Sequence, residues 1–112
     1  MKSGTTNDQL AATIAACKKT KSGFWLAVAR MLDRSRRERV EVNLNEIEMH
    51  ANDGETVIVP GRVLGIGSLV KNVSVAGFWF SASAEKKLGK KALRLETMLS
   101  KHPDGKGLRI MA

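Results

Sequence analysis

Thr56-Val57-Ile58-Val59-Pro60-Gly61-Arg62-Val63-Leu64 is the stretch on which the fold of this chain turns. Thr56 to Val59 are all β-branched, the side chains that pack best on a pleated surface. Proline has no N–H to give to a strand ladder, so Pro60-Gly61 is expected to stop the strand, with Arg62 to Leu64 resuming extended structure beyond the break. Upstream, Val40-Glu41-Val42 alternates as a short strand. Asn43 can then cap a brief helix through Leu44, Ile47 and Met49 that ends before the turn signal Asn52-Asp53-Gly54. Downstream, Gly65-Ile66-Gly67 bends the chain, and Val73-Ser74-Val75-Ala76 alternates again and continues into Phe78-Trp79-Phe80.

Helices are expected to flank this centre. Asn7 or Asp8 can cap one whose apolar positions Leu10, Ala11, Ile14, Ala15 and Cys17 follow helical spacing and which ends in Lys18, Lys19 and Lys21 before Ser22-Gly23. A second, from Phe24 to Asp33, carries the stripe Phe24, Trp25, Val28, Met31 and Leu32. Ser81 or Ser83 caps a helix around Ala84 to Leu88. A strand near Ala92 to Leu95, a helix around Glu96 to Lys101, a turn at His102-Pro103-Asp104-Gly105 and a strand from Leu108 to Met111 close the pattern. Strands and helices alternate without the long βαβ units of a doubly wound nucleotide-binding fold, which gives an irregular α/β domain. The chain of 112 residues is expected to form a single domain, residues 1–112, with 1–7 flexible, 8–33 helical and 40–112 a mixed α/β core.

Charge supplies the functional signal. Nineteen Lys and Arg against eleven Asp and Glu give a formal net charge of +8 and a pI near 10.1. The sign is unevenly placed: residues 1–40 hold nine basic and three acidic groups, 41–60 five acidic and no basic, 61–112 ten basic and three acidic, so the segments carry +6, −5 and +7. Arg30, Arg34, Arg36, Arg37 and Arg39 crowd into ten positions, and Val40 to Gly61 contains no Lys or Arg. Guanidinium forks match phosphate oxygens, and so dense a cluster repels itself unless a polyanion is present. The acidic segment should face solvent or a basic neighbour. Lys86, Lys87, Lys90 and Lys91 form two i,i+4 pairs of like charge if the helix runs that far, again calling for a partner. A lone cysteine excludes a disulfide framework and fits a reducing compartment. No apolar run approaches membrane-spanning length and no hydrophobic signal core follows Met1, so a cytoplasmic protein with no membrane contact is expected.

Reactive centres are poorly supported. Gly65-Ile66-Gly67 begins like a dinucleotide turn, but Val70 stands where the third glycine belongs. Cys17 with His50 or His102 lacks a family spacing for nucleophilic catalysis, and a buried core cysteine explains Cys17 better. Glu46 and Glu48 point apart on a short helix, and a solvated face explains them better than an acid–base pair. Phe24, Phe78 and Phe80 read as core, while Trp25 and Trp79 are evenly balanced between core and stacking platforms for bases.

These same residues carry a resemblance. Arg36-Arg37 leading into Val40-Glu41-Val42-Asn43-Leu44 and Ile47, then Glu55 through Gly65, then Gly67, Leu69, Lys71 and Val73 to Ala76, is similar to the family of large-subunit ribosomal protein eighteen of archaeal and eukaryotic type, in its shorter archaeal form. The likeness reaches from the helical start around Trp25 to Pro103-Asp104-Gly105 and Arg109-Ile110. It implies a compact irregular β-β-α superhelix similar to the bacterial large-subunit ribosomal protein fifteen fold, and a structural, non-enzymatic constituent of the large ribosomal subunit. Its implied partners are large-subunit ribosomal RNA and neighbouring ribosomal proteins, with no cofactor, no metal and no small-molecule substrate. Arg34, Arg36, Arg37 and Arg39 match the basic RNA-facing segment of the family, and Pro60-Gly61-Arg62 with Gly65 and Gly67 match its glycine-containing loop. Ser35 stands where the family often has proline, and Ile66 where a small residue is usual.

Together the residues expected to meet RNA are Lys18, Lys19, Lys21, Arg30, Arg34, Arg36, Arg37, Arg39, Asn43, Pro60, Gly61, Arg62, Gly65, Gly67, Lys71, Lys86, Lys87, Lys90, Lys91 and Arg109. Double-helical RNA hides its base edges in a deep groove, so such a set would read phosphates, 2′-hydroxyls and shape. A helix-turn-helix DNA-binding protein built on the first two helices is the alternative, weakened by the apolar stripe of the second. An enzyme acting on a phosphorylated small molecule would need a nucleophile–base set that the sequence does not offer.

Overall fold

The computed structural model describes residues 7–33 and 40–112. The elements are α1 (Asn7–Lys19), α2 (Gly23–Leu32), β1 (Val40–Asn43), α3 (Leu44–His50), β2 (Thr56–Leu64), β3 (Ser74–Phe80), α4 (Ala82–Leu88), a 3-10 turn at Gly89–Lys91, β4 (Ala92–Arg94), α5 (Leu95–Lys101) and β5 (Leu108–Ile110). Caps account for several of these boundaries. Ser81 Oγ accepts from Ala84 N–H at 3.1 Å to start α4. At α3 the Asn43 N–H donates to Glu46 Oε2 at 2.8 Å; Asn43 Oδ1 is placed as the other half of a capping box but makes no well-formed hydrogen bond.

The expected strand break at Pro60-Gly61 does not occur: β2 runs unbroken from Thr56 to Leu64 and is the central strand of a five-stranded sheet. The reason lies in how its edges are shared. Along one edge, β5 pairs with residues 56–58 and β1 with residues 61–64, so Pro60 falls in the gap between two partners. Along the other, β3 pairs with β2 up to Val59↔Gly77 and resumes at Arg62↔Trp79, leaving one extra β2 residue as a bulge. A proline at a bulge forfeits no ladder hydrogen bond. Gly61 is required for a different reason: a Cβ there would lie 2.1 Å from the Val40 carbonyl oxygen and 2.9 Å from its carbon. Backbone meets backbone at this point, and neither can yield.

All five strands pair in parallel, in the order β1-β2-β3-β4 with β5 beside β2. The fold is thus α/β, and more regular in its strand directions than the alternation of short elements suggested. Period-two alternation sends Val57, Val59, Val63 and Val75 to one face, where Leu44, Ile47, Ala84 and Leu88 of α3 and α4 cover them. Ile58 and Ala76 face the other way, into a layer built by Cys17, Trp25, Val28, Ala29, Leu32, Leu95, Met98 and Leu99 of α1, α2 and α5. Trp25 is fully buried and its Nε1–H donates to His102 O at 2.7 Å, so it is a core residue rather than a stacking platform. The α1–α2 turn is held against the 102–105 turn through that bond and through Ser22 Oγ, which donates to Asp104 O at 3.0 Å.

One connection is unusual. Parallel strands are normally joined by a crossover helix, yet β2 and β3 are joined by the nine residues 65–73 alone. Thr56 pairs with Ser74, so this segment must return along eight β2 residues, about 26 Å at strand rise. The ten steps from Leu64 to Ser74 reach about 33–36 Å at full extension, so the segment crosses as a strap with room for bends at 66–67 and 71–72 but none for a helix. It lies between α3 and α4. Gly67, with φ +89°, fits against Asn45, whose Cβ would lie 2.5 Å from any Cβ added there.

A candidate nucleic-acid interface

The strap explains the lysines that follow it. Two lysines collect the carbonyls of its odd-numbered residues 65 to 71. Lys87 Nζ donates to Gly65 O at 2.6 Å and Gly67 O at 2.8 Å, and Lys91 Nζ to Leu69 O at 3.4 Å and Lys71 O at 2.9 Å. On the α3 side, Glu48 Oε1 accepts from Val70 and Lys71 N–H at 3.0 and 3.1 Å, and Asp53 Oδ1 from Asn72 N–H at 2.8 Å. Lys71 Nζ donates to Ala51 O at 2.9 Å.

Two expectations change in consequence. The helix ends at Leu88, and Gly89 at φ 55° turns the chain into the 3-10 turn, so the helical i,i+4 argument does not extend to Lys90 and Lys91. Of the four lysines, Lys87 and Lys91 find partners within the chain, in carbonyl oxygens. The acidic pair is corrected too: Glu46 and Glu48 are not merely a solvated face but acceptors for backbone N–H groups of β1 and the strap.

The arginine cluster Arg34, Arg36, Arg37 and Arg39 lies outside the described residues, which resume at Val40 against Gly61. Lys18 and Lys19 stand exposed in the last turn of α1, where they also suit its dipole, and Lys21 follows with a left-handed φ of 58°. Arg30 is exposed in the last turn of α2, Lys86 on α4 and Lys90 in the 3-10 turn. None of these six side chains has a hydrogen-bond or ion-pair partner among the described residues.

Other expected contacts are engaged or enclosed. Arg109 Nη1 donates to His50 O and Glu55 Oε1, both at 3.1 Å. The Asn52 N–H, with Arg109 behind it, lowers the Glu55 pKa below its ordinary value. Arg62 lies 3.6 Å from Glu41 Oε2 and 5.2 Å from the centre of the Trp79 ring, a cation–π arrangement at the rim of a shallow cleft lined by Leu10, Leu32, Pro60 and Phe78. Pro60 and Gly61 are buried strand residues, not a loop, and the close approach Gly61 permits is to Val40. Gly65 and Gly67 belong to the strap, and Asn43 to the start of α3.

Reactive chemistry is not assembled. Cys17 is enclosed between helices, and burial, with Glu96 nearby, pushes its thiol up to about 11, away from the thiolate form. Among the described residues no three of His, Cys, Asp and Glu gather as a metal site, and no helix is long and apolar enough to cross a membrane. The apolar stripe of α2, with Trp25, Val28 and Leu32 buried, faces the protein interior, which gives no support to a helix-turn-helix reading.

Fold and site together define a small basic α/β protein whose chemical resource is its exposed cations, not a reactive centre. No family model matches the chain. Known proteins do: it is 40% identical over 112 residues to the large ribosomal subunit protein eL18 of Haloarcula marismortui, covering 95% of this chain and 97% of that protein. The eL18 of Archaeoglobus fulgidus is 41% identical over 96 residues, 83% of this chain and 82% of its own, and that of Methanococcus maripaludis 39% over 97 residues, 84% and 81%. The chain belongs to the large ribosomal subunit protein eL18 family, in its archaeal type.

Proposed function

We propose that this protein is a structural constituent of the large ribosomal subunit that binds and stabilises folded ribosomal RNA, working in the cytoplasm beside other ribosomal proteins. The observation that carries this reading is identity of about two residues in five to eL18 along nearly the whole chain. It is a structural role, and no catalytic step belongs to it.

RNA contact falls first to the cations without a partner among the described residues and to the arginine segment. Lys18, Lys19 and Lys21 at the end of α1, Arg30 on α2, Lys86 on α4 and Lys90 in the 3-10 turn are exposed, and Arg34, Arg36, Arg37 and Arg39 add the densest charge in the sequence. Each phosphate they meet releases condensed counterions, so binding should weaken steeply with salt. Arg62 and Arg109 can offer RNA the faces that Glu41 and Glu55 leave open. Lys71, Lys87, Lys91, Asn43, Pro60, Gly61, Gly65 and Gly67 act chiefly by fixing the sheet and strap on which the free cations are mounted. The whole chain would work as one domain, clamping RNA segments whose phosphates would otherwise repel.

The test is sedimentation of tagged protein from cell extract through a sucrose gradient, before and after a high-salt wash. Co-migration with the large subunit that survives the wash is expected. A slow free species would overturn the reading.

A further inference from the structure

Three large apolar side chains stand in solvent among the described residues: Met49, 72% exposed, Ile66, 61%, and Val70, 80%. Singly, such residues need no explanation, because folded surfaces are rich in apolar atoms. These three share one place. Asn45 N–H donates to Ile66 O at 3.1 Å and Val70 N–H to Glu48 Oε1 at 3.0 Å, so the strap runs beside α3 in the same direction. Positions 45, 48 and 49 fall on one side of a helix, which places Met49 on the side the strap occupies. Leu69 packs against the core while Ile66 and Val70 stand outward.

The α3 edge of this row is acidic, the reverse of the chain as a whole. Glu46, Glu48 and Asp53 accept backbone N–H groups but have no ion-pair partner among the described residues. The cations that flank the strap, Lys71, Lys87 and Lys91, are each engaged on carbonyl oxygens. A phosphate arriving at the α3 edge would meet carboxylates and apolar side chains, whereas a basic peptide segment with apolar side chains would match both.

We propose that the outer face of α3 and the strap, centred on Met49, Ile66 and Val70, docks a basic segment of a different protein in the large subunit. The proposal rests on the ribosomal reading and gives that reading a face turned away from RNA. A protein neighbour, rather than RNA, is the occupant because the exposed chemistry along α3 is apolar and anionic.

The experiment places a photoreactive residue, p-benzoylphenylalanine, at position 70 of the full chain and, as a reference, at position 19, then irradiates purified large subunits. The expected result is an adduct with a different, basic protein from position 70 and an RNA adduct from position 19. An RNA adduct from position 70, an adduct with a second copy of this chain, or no adduct while position 19 still reaches RNA would each overturn the docking face alone. Absence of the chain from large subunits would overturn the ribosomal reading and this proposal with it. Glu46→Gln with Asp53→Asn, which remove the charges and keep the side-chain shape, should cut the protein adduct several-fold, and an unchanged adduct yield would remove the charge argument.

Discussion

Lys87 and Lys91 reach back to four carbonyl oxygens of the strap, whereas the side chains of Lys18, Lys19 and Lys21 stand at the end of α1 with no partner among the described residues. In sequence the two clusters look alike. Their difference lies in what runs past them. A connection with no helix of its own leaves a row of backbone oxygens unpaired, and an ammonium with three donors suits such a row. At the end of α1 the Cys17 and Lys18 carbonyls are met by Thr20 and by the Lys21 N–H, and no lysine side chain reaches them. One cluster therefore answers a need created by the fold, while the other remains available to a partner.

The widest gap between the clusters should appear in stability. Lys87→Met with Lys91→Met removes the donors but keeps much of the aliphatic length, leaving strap carbonyls to find water. Each unsatisfied group costs roughly 1–3 kcal/mol when enclosed and less when wet, so a drop of about 2–4 kcal/mol for the pair is expected in urea unfolding. Unchanged stability combined with weakened RNA binding would place these lysines with the α1 cluster instead, and the comparison would collapse.

Glu48→Ala attacks the opposite edge of the strap. Its Oε1 accepts two neighbouring N–H groups, of which the Lys71 amide is part-buried, and an acceptor that serves two donors has no substitute nearby. A destabilisation of about 1–2 kcal/mol is expected, with RNA affinity unchanged once the variant is folded. A larger drop in affinity than in stability would mean that the strap itself touches RNA.

How far these roles can be read from sequence depends on what each signal encodes. Element positions are largely legible, because Ser81 and Asn43 cap where capping residues should and the apolar stripe of Trp25, Val28 and Leu32 follows helical period. β2 misleads at Pro60-Gly61 because a proline reports only its missing donor. Whether a donor is needed depends on β1, β5 and β3, which lie far away in sequence. Lysine partners are illegible for a related reason: a backbone carbonyl has no letter in the sequence, so the acceptors of Lys87 cannot be seen beside it. The even balance at the two tryptophans resolves by location. Trp25 is sealed by His102, and Trp79 keeps a ring face for Arg62.

The α1 cluster should answer the complementary test. The side chains changed in Lys18→Gln, Lys19→Gln and Lys21→Gln hold no partner in the described structure, so stability should move by less than about 0.5 kcal/mol. The salt dependence of RNA binding should flatten, by about 0.7–0.9 in log–log slope for each phosphate that is no longer neutralised. An unaltered slope would remove these lysines from the interface and leave the arginine segment to account for affinity.

Lys21 permits the finest separation of the two roles, because at this one position fold and partner are expected to pull in opposite directions. Its φ of 58° is a conformation that a side chain bearing a Cβ adopts reluctantly and glycine adopts freely. Lys21→Gly should relieve that strain, and even after the greater freedom glycine gives the unfolded chain, a gain of about 0.5 kcal/mol is expected. The same change deletes a cation and should weaken RNA binding slightly. If Lys21→Gly instead lowers stability and leaves RNA affinity alone, the residue belongs with Lys87 and Lys91 as a support of the fold, and only Lys18 and Lys19 stay on the other side of the comparison.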